Sequence, residues 1–148
     1  MRTRVLLVEP DGTALAILRN AGSYAADIDG CPDFLSARPH AISGEYQFLV
    51  TNLRLDAYNG LHLVYLTLSA HPATRCIVYT DRRDVFLARE VQEAGAFYEI
   101  RDRLTYALDG YLRSELPPID RRNPAASDRR GAFRGGRRAS DLPLLAAS

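Results

Sequence analysis

Four apolar runs in this chain end on polar or charged residues, and those endings hold most of its chemically able groups. Val5-Leu6-Leu7-Val8 leads into Glu9-Pro10-Asp11, and Phe48-Leu49-Val50-Thr51 leads into Asn52. Arg75 to Tyr79 leads into Thr80-Asp81, and Ala96 to Ile100 leads into Arg101-Asp102. Two carboxylates at Glu9 and Asp11 suit either a hard cation or the start of a helix, where acids complement the dipole. Thr80 offers a hydroxyl, or simply ends a strand as β-branched residues do. Asn52 can orient a neighbour by hydrogen bonding, but an amide is no carboxylate nucleophile. His40, His62 and His71 are dispersed and read as surface or core-edge residues. The chain has no G-x-S-x-G elbow, no H-E-x-x-H and no G-x-G-x-x-G after a strand. Its 19 basic residues are all Arg, which excludes a P-loop lysine.

The elements that must position these groups alternate in kind. The runs above are short and apolar throughout, the pattern of strands buried on both faces. Tyr24 to Ile28 reads as a weaker strand, second in chain order, which makes Ala96 to Ile100 the fifth. Ala14, Leu15, Ile17 and Leu18 fall at helical spacing, closed by Gly22 as a C-cap. A short helix fits Pro32 to Arg38, with Pro39 to Glu45 as a polar loop. Asp56 to Asn59 reads as a loop, and a helix runs from Gly60 to Ala70, before Pro72. Further helices fit Asp84 to Ala94, closed by Gly95, and the stretch carrying Leu104, Leu108 and Leu112. Strand–helix alternation of this kind predicts an α/β fold: a flavodoxin-like (βα)5 arrangement, one parallel sheet with helices on both faces. Ligands of such sheets bind at the carboxyl ends of the strands, where the four endings lie.

The order of strand, polar residue, loop with Asn59-Gly60 and helix resembles the middle of a response-regulator receiver domain, and the likeness spans residues 2–113. The resemblance implies a phosphoacceptor pocket, and the chain departs from it repeatedly. The acidic pair after the first strand has Glu9 first, but Pro10 second, with Asp11 beside it. The phosphoacceptor aspartate is Asn52. The switch hydroxyl is present as Thr80, followed by Asp81 where a small residue is usual. The lysine after the fifth strand falls on Asp102 or, with a one-residue shift, on Arg101. The switch aromatic falls on Tyr98 or Glu99. With metal acid, nucleophile and lysine all lost, the resemblance implies a degenerate, non-phosphorylatable receiver with no metal and no cofactor.

Charge divides the chain in two. Residues 1–116 carry 12 Arg against 15 acids, whereas residues 117–148 carry 7 Arg against 3 acids. The first part is read as the receiver-like domain, with a hydrophobic share for the whole chain of 47%, ordinary for a globular protein. The second, rich in Arg, Pro and Gly, has few apolar residues to offset ordering entropy and is expected to be disordered. Cys31 and Cys76 lack paired spacing and read as buried thiols. No run is long enough to span a bilayer, and Val5 to Val8 is too short for the apolar region of a leader, so a cytoplasmic protein is expected.

These readings predict a signalling protein, not an enzyme, that acts by protein–protein interaction with another signalling protein or as a homodimer. The resemblance places the partner face on the fourth helix, fifth strand and last helix: Arg89, Glu90, Glu93, Tyr98, Glu99, Arg101, Tyr106, Asp109 and Arg113. Alternatives are a nucleic-acid-associated regulator acting through the tail, where Arg134-Gly135-Gly136-Arg137-Arg138 is similar to RGG segments, and a small ligand at the altered pocket. Deleting residues 117–148 removes chain with little to bury. The expected thermal midpoint is therefore unchanged within a few degrees, and a clear drop in differential scanning calorimetry would show that the tail packs on the domain.

Overall fold

The computed structural model describes residues 2–115. Strand β1 (Thr3–Val8), helix α1 (Gly12–Gly22), β2 (Ala26–Cys31), α2 (Phe34–Ser43) and β3 (Phe48–Asn52) open the chain. A hairpin of β4 (Arg54–Leu55) and β5 (Tyr58–Asn59) follows, then α3 (Gly60–Ala70), β6 (Arg75–Thr80), α4 (Val85–Glu93), β7 (Phe97–Ile100) and α5 (Arg101–Arg113). Two compact units are distinguished: of the described residues, the larger holds 2–83 and 91–115 and the smaller holds Asp84–Glu90.

In the larger unit β2, β1, β3, β6 and β7 form one parallel sheet in that order, the flavodoxin-like arrangement predicted. Buried Val5, Leu7, Val50, Ile77 and Phe97 pack on Leu18 of α1 and on Leu104, Leu108 and Leu112 of α5. Helices α2 and α3 pack against each other and against the inner strands, burying Phe34, Ala37, Leu63 and Val64. Cys31 and Cys76 are free and buried, and burial pushes the Cys76 thiol up to about 12. Asp84 of the smaller unit caps α4, accepting from the Phe86 and Leu87 amides at 2.9 and 3.2 Å.

Three local readings of the sequence are corrected. The second strand lies at Ala26–Cys31, further along than predicted, because all six residues pair with β1 despite their polar composition. As an edge strand it turns Asp27 and Asp29 to solvent, where Arg2, just before β1, and Arg4 of β1 reach them at 2.8 and 3.2 Å. The second helix starts later and runs through Pro39 to Ser43. Asp33 caps it through the Ser36 amide, Pro39 faces solvent and forfeits one backbone bond, and burial of Ala37 and Ala41 outweighs that loss. Residues 54–59 form a hairpin, with Asp56 at φ 58° in a left-handed turn position that a short polar side chain tolerates.

That hairpin returns the chain to the end of β3, where the Gly60 amide donates to the Leu53 carbonyl at 2.7 Å. A Cβ at Gly60 would stand 2.4 Å from the Asn52 carbonyl oxygen, which is backbone and cannot swing aside. Gly60→Ala is therefore expected to destabilise the fold by about 2 kcal/mol in urea denaturation, as overpacking does. A loss below about 0.5 kcal/mol would show that the hairpin yields freely.

Candidate functional site

Parallel register sets one polar row across the carboxyl end of the sheet. Val8 pairs with Thr51, so the next step brings Glu9 level with Asn52; Asn52 pairs with Tyr79, and Tyr79 with Glu99. Side chains level across parallel strands share a face, and this row crowns the one packed by α1 and α5. All four residues are shut off from water: Glu9 is 2% exposed, Asn52 9%, Tyr79 0% and Glu99 6%.

A buried carboxylate is costly unless hydrogen bonds replace its water. Glu9 has three. Its Oε1 accepts from Asn52 Nδ2 at 3.0 Å and from the Tyr79 hydroxyl at 2.7 Å. Its Oε2 accepts from the Asp11 amide at 2.9 Å. The other end of the Asn52 amide is also engaged, with Oδ1 accepting from the Arg54 amide at 3.0 Å. Burial, together with the Glu9 carboxylate at its oxygen, holds the Tyr79 phenol far above the ordinary tyrosine range. Further along the row Tyr111 of α5 donates to Glu99 Oε2 at 2.5 Å.

The remaining predicted residues take other places. Asp11 is exposed and caps α1, its Oδ1 accepting from the Thr13 and Ala14 amides at 2.9 and 3.2 Å. Glu9, which the sequence allowed as a second cap, faces the row instead. Pro10 is half-buried between them. Thr80 turns to the opposite face, its hydroxyl 2.5 Å from the Tyr98 phenol; one of the two donates to the other, and the Arg82 carbonyl, 2.7 Å from Thr80 and 3.3 Å from Tyr98, accepts the remaining proton. Asp81, expected to crowd the pocket, lies exposed at its rim and pairs with Arg101 at 3.4 Å. Asp102 is exposed in the first turn of α5.

On the expected partner face the structure separates buried from exposed. Tyr98 and Glu99 are buried among their hydrogen-bond partners although β7 is an edge strand of the sheet, because alternation turns their side chains onto the two covered faces and leaves only backbone at the edge. Tyr106 is 89% exposed, Glu93 and Arg113 are exposed, and Asp109 is half-buried and bonded to Arg113 at 2.8 Å. Arg89 and Glu90 are exposed residues of the smaller unit. Sequence reading missed Tyr79 and Tyr111. The signal for Tyr79 was a phenol in an otherwise aliphatic strand, one residue before Thr80.

The donor set does not fit a divalent cation. Both Glu9 oxygens already accept, Pro10 brings no ligand, the Asp11 carboxylate is committed to α1, and Asn52 turns its NH2 group toward Glu9. Among the described residues no group of three or more His, Cys, Asp or Glu could hold a metal ion.

The fold is similar to that of solved receiver domains. The response regulator DrrB of Thermotoga maritima, an OmpR/PhoB homolog, aligns with a TM-score of 0.69 and 17% identity over 79% of this chain. The chain spans 55% of that protein. A CheY-like receiver domain protein of Methanospirillum hungatei JF-1 aligns at 0.66 with 14% identity, over 76% of this chain and 94% of its own. The signal receiver domain of an HD domain-containing protein from Pseudomonas fluorescens Pf-5 aligns at 0.62 with 21% identity, over 76% and 95%. At these identities the likeness is one of fold. No family model matches the sequence, and no curated protein matches it.

Tyr79→Phe removes one donor from a carboxylate that water does not reach. A loss of about 1–3 kcal/mol in chemical denaturation is expected, the cost of a buried acceptor left short. A change within about 0.5 kcal/mol would show that Glu9 does not depend on the phenol.

Proposed function

We propose that this protein is a receiver-like signalling module that works by binding another protein or a second copy of itself, without phosphorylation of the pocket. One observation carries the reading. The residue at the end of β3 is an amide whose NH2 group donates to the buried Glu9 carboxylate, where a phosphoryl acceptor needs a free carboxylate oxygen. The fold it shares with receiver domains supports the signalling role. The Thr80–Tyr98 hydrogen bond supports a single resting state of this region, so binding is constitutive. Exposed Tyr106, Arg113 and Glu93 of the larger unit are the residues proposed for the partner, since charged groups set selectivity more than affinity. The protein catalyses no group transfer in this reading and works in the cytoplasm. Among the described residues no helix is long and apolar enough to cross a membrane.

A second reading rests on the Arg-rich composition of residues 117–148, which suits nucleic acid; those residues lie outside the described part. Binding through them weakens steeply with salt and disappears with their deletion.

Small phosphodonors with Mg²⁺ are expected to leave the full chain at its unmodified mass, and a labile phosphoryl adduct by intact-mass spectrometry overturns the reading. Tyr106→Ala with Arg113→Glu is expected to abolish self-association in sedimentation, or capture of the partner, while Asn52→Ala retains it. The reverse pattern moves the working surface to the pocket.

A further inference from the structure

Closure of this pocket to cations has two separable components. One is the amide at position 52. The other is a phenol contributed by β6, from a residue with no apparent role in the sequence pattern. We infer that the Tyr79 hydroxyl is a second, independent barrier that closes the carboxyl-edge pocket to divalent cations. The inference rests on the reading that the site takes no phosphoryl group, and it names the residue that would keep the site closed even with a carboxylate restored.

A hard cation takes oxygen ligands with free lone pairs. Among the described residues Glu9 and Glu99 are the buried carboxylates of the row, and the Oε1 of Glu9, the one beside position 52, already receives two donors. Asn52→Asp removes one of them and supplies a second carboxylate. The other remains, because Tyr79 enters from β6 and is held by the strand pairing Asn52 to Tyr79. For Glu9 to ligate a cation through Oε1, the phenol must surrender its acceptor. Tyr79 is fully buried, and Glu9 is the one hydrogen-bond partner of its hydroxyl among the described residues. Cation capture therefore orphans a hydroxyl where water cannot replace the lost bond. An orphaned buried hydroxyl weakens binding by about tenfold or more. Removing the hydroxyl removes that cost and frees a lone pair on the ligating oxygen.

The rim is closed on the anionic side in the same manner. Arg101, the cation nearest in sequence to the end of β7, is held by Asp81 at 3.4 Å. That pair is partly exposed and contributes little to the barrier against cations.

The experiment titrates Mn²⁺ into the full chain and reads free Mn²⁺ by electron paramagnetic resonance. It covers the unsubstituted protein, Asn52→Asp, Tyr79→Phe and Asn52→Asp/Tyr79→Phe, each checked for fold by circular dichroism. The double variant is expected to bind Mn²⁺ at least tenfold more tightly than Asn52→Asp, and Tyr79→Phe alone to match the unsubstituted protein. Equal affinity in Asn52→Asp and the double variant overturns the inference, and so does a double variant that binds nothing. If Phe at position 79 fails to fold, Asn52→Asp/Tyr79→Met, which keeps a long apolar side chain without the hydroxyl, is read by the same criterion. A phosphoryl adduct on the unsubstituted protein overturns the functional reading and leaves this affinity ratio to be judged on its own.

Discussion

A carboxylate placed out of reach of water at the end of β1 constrains everything around it. An uncompensated charge there costs several kcal/mol, so three donors must converge on Glu9, each from a different part of the chain. The turn into α1 supplies the Asp11 amide, β3 supplies the Asn52 NH2 group and β6 supplies the Tyr79 phenol. Each donor is fixed by something else. Asp11 is fixed by its capping bonds to α1, Asn52 by the Arg54 amide, and Tyr79 by its register with Asn52. The hairpin after β3 belongs to the same construction, since it brings the Arg54 amide to Asn52 and needs Gly60 where the backbone returns beside the Asn52 carbonyl.

Charges at the carboxyl end of the sheet are thus satisfied from within. The carboxylates of the row have their donors, the arginine at the rim has Asp81, and the Thr80 hydroxyl has Tyr98 and the Arg82 carbonyl. A site of this kind holds one arrangement because each group already has the partner that a ligand would offer. That is the physical content of the proposed constitutive behaviour: regulation by ligand or modification needs a group whose partner can change. It also directs attention to exposed side chains such as Tyr106, which have nothing inside the fold to satisfy them.

The sequence by itself determined the sheet and its order of elements. Continuous apolar runs separated by helical patterns leave little choice but a parallel sheet covered on both faces, and Arg75–Thr80 and Gly60–Ala70 fall where the pattern put them. It also determined that Asn52 ends the central strand, since the run before it is apolar and the residue itself is polar. Where composition and pairing disagreed, the pattern failed: Asp29 and Gly30 look unlike a strand, yet they pair with β1. Pro39 looks like a helix end, yet buried alanines on either side carry the helix through it.

Only the tertiary structure decided which polar groups meet. Glu9 and Tyr79 are far apart in the chain, and no local pattern distinguishes a tyrosine that packs from one whose hydroxyl reaches a carboxylate across the sheet. The same holds for Tyr98 and Glu99, adjacent residues that strand alternation turns to opposite faces and that both lie buried instead of on a surface. Local sequence sets the period of each strand, and therefore which residues share a side. The register between strands, fixed by the packing of helices on both faces, decides which of those residues stand level, and hydrogen bonding of buried groups depends on that last ångström of alignment.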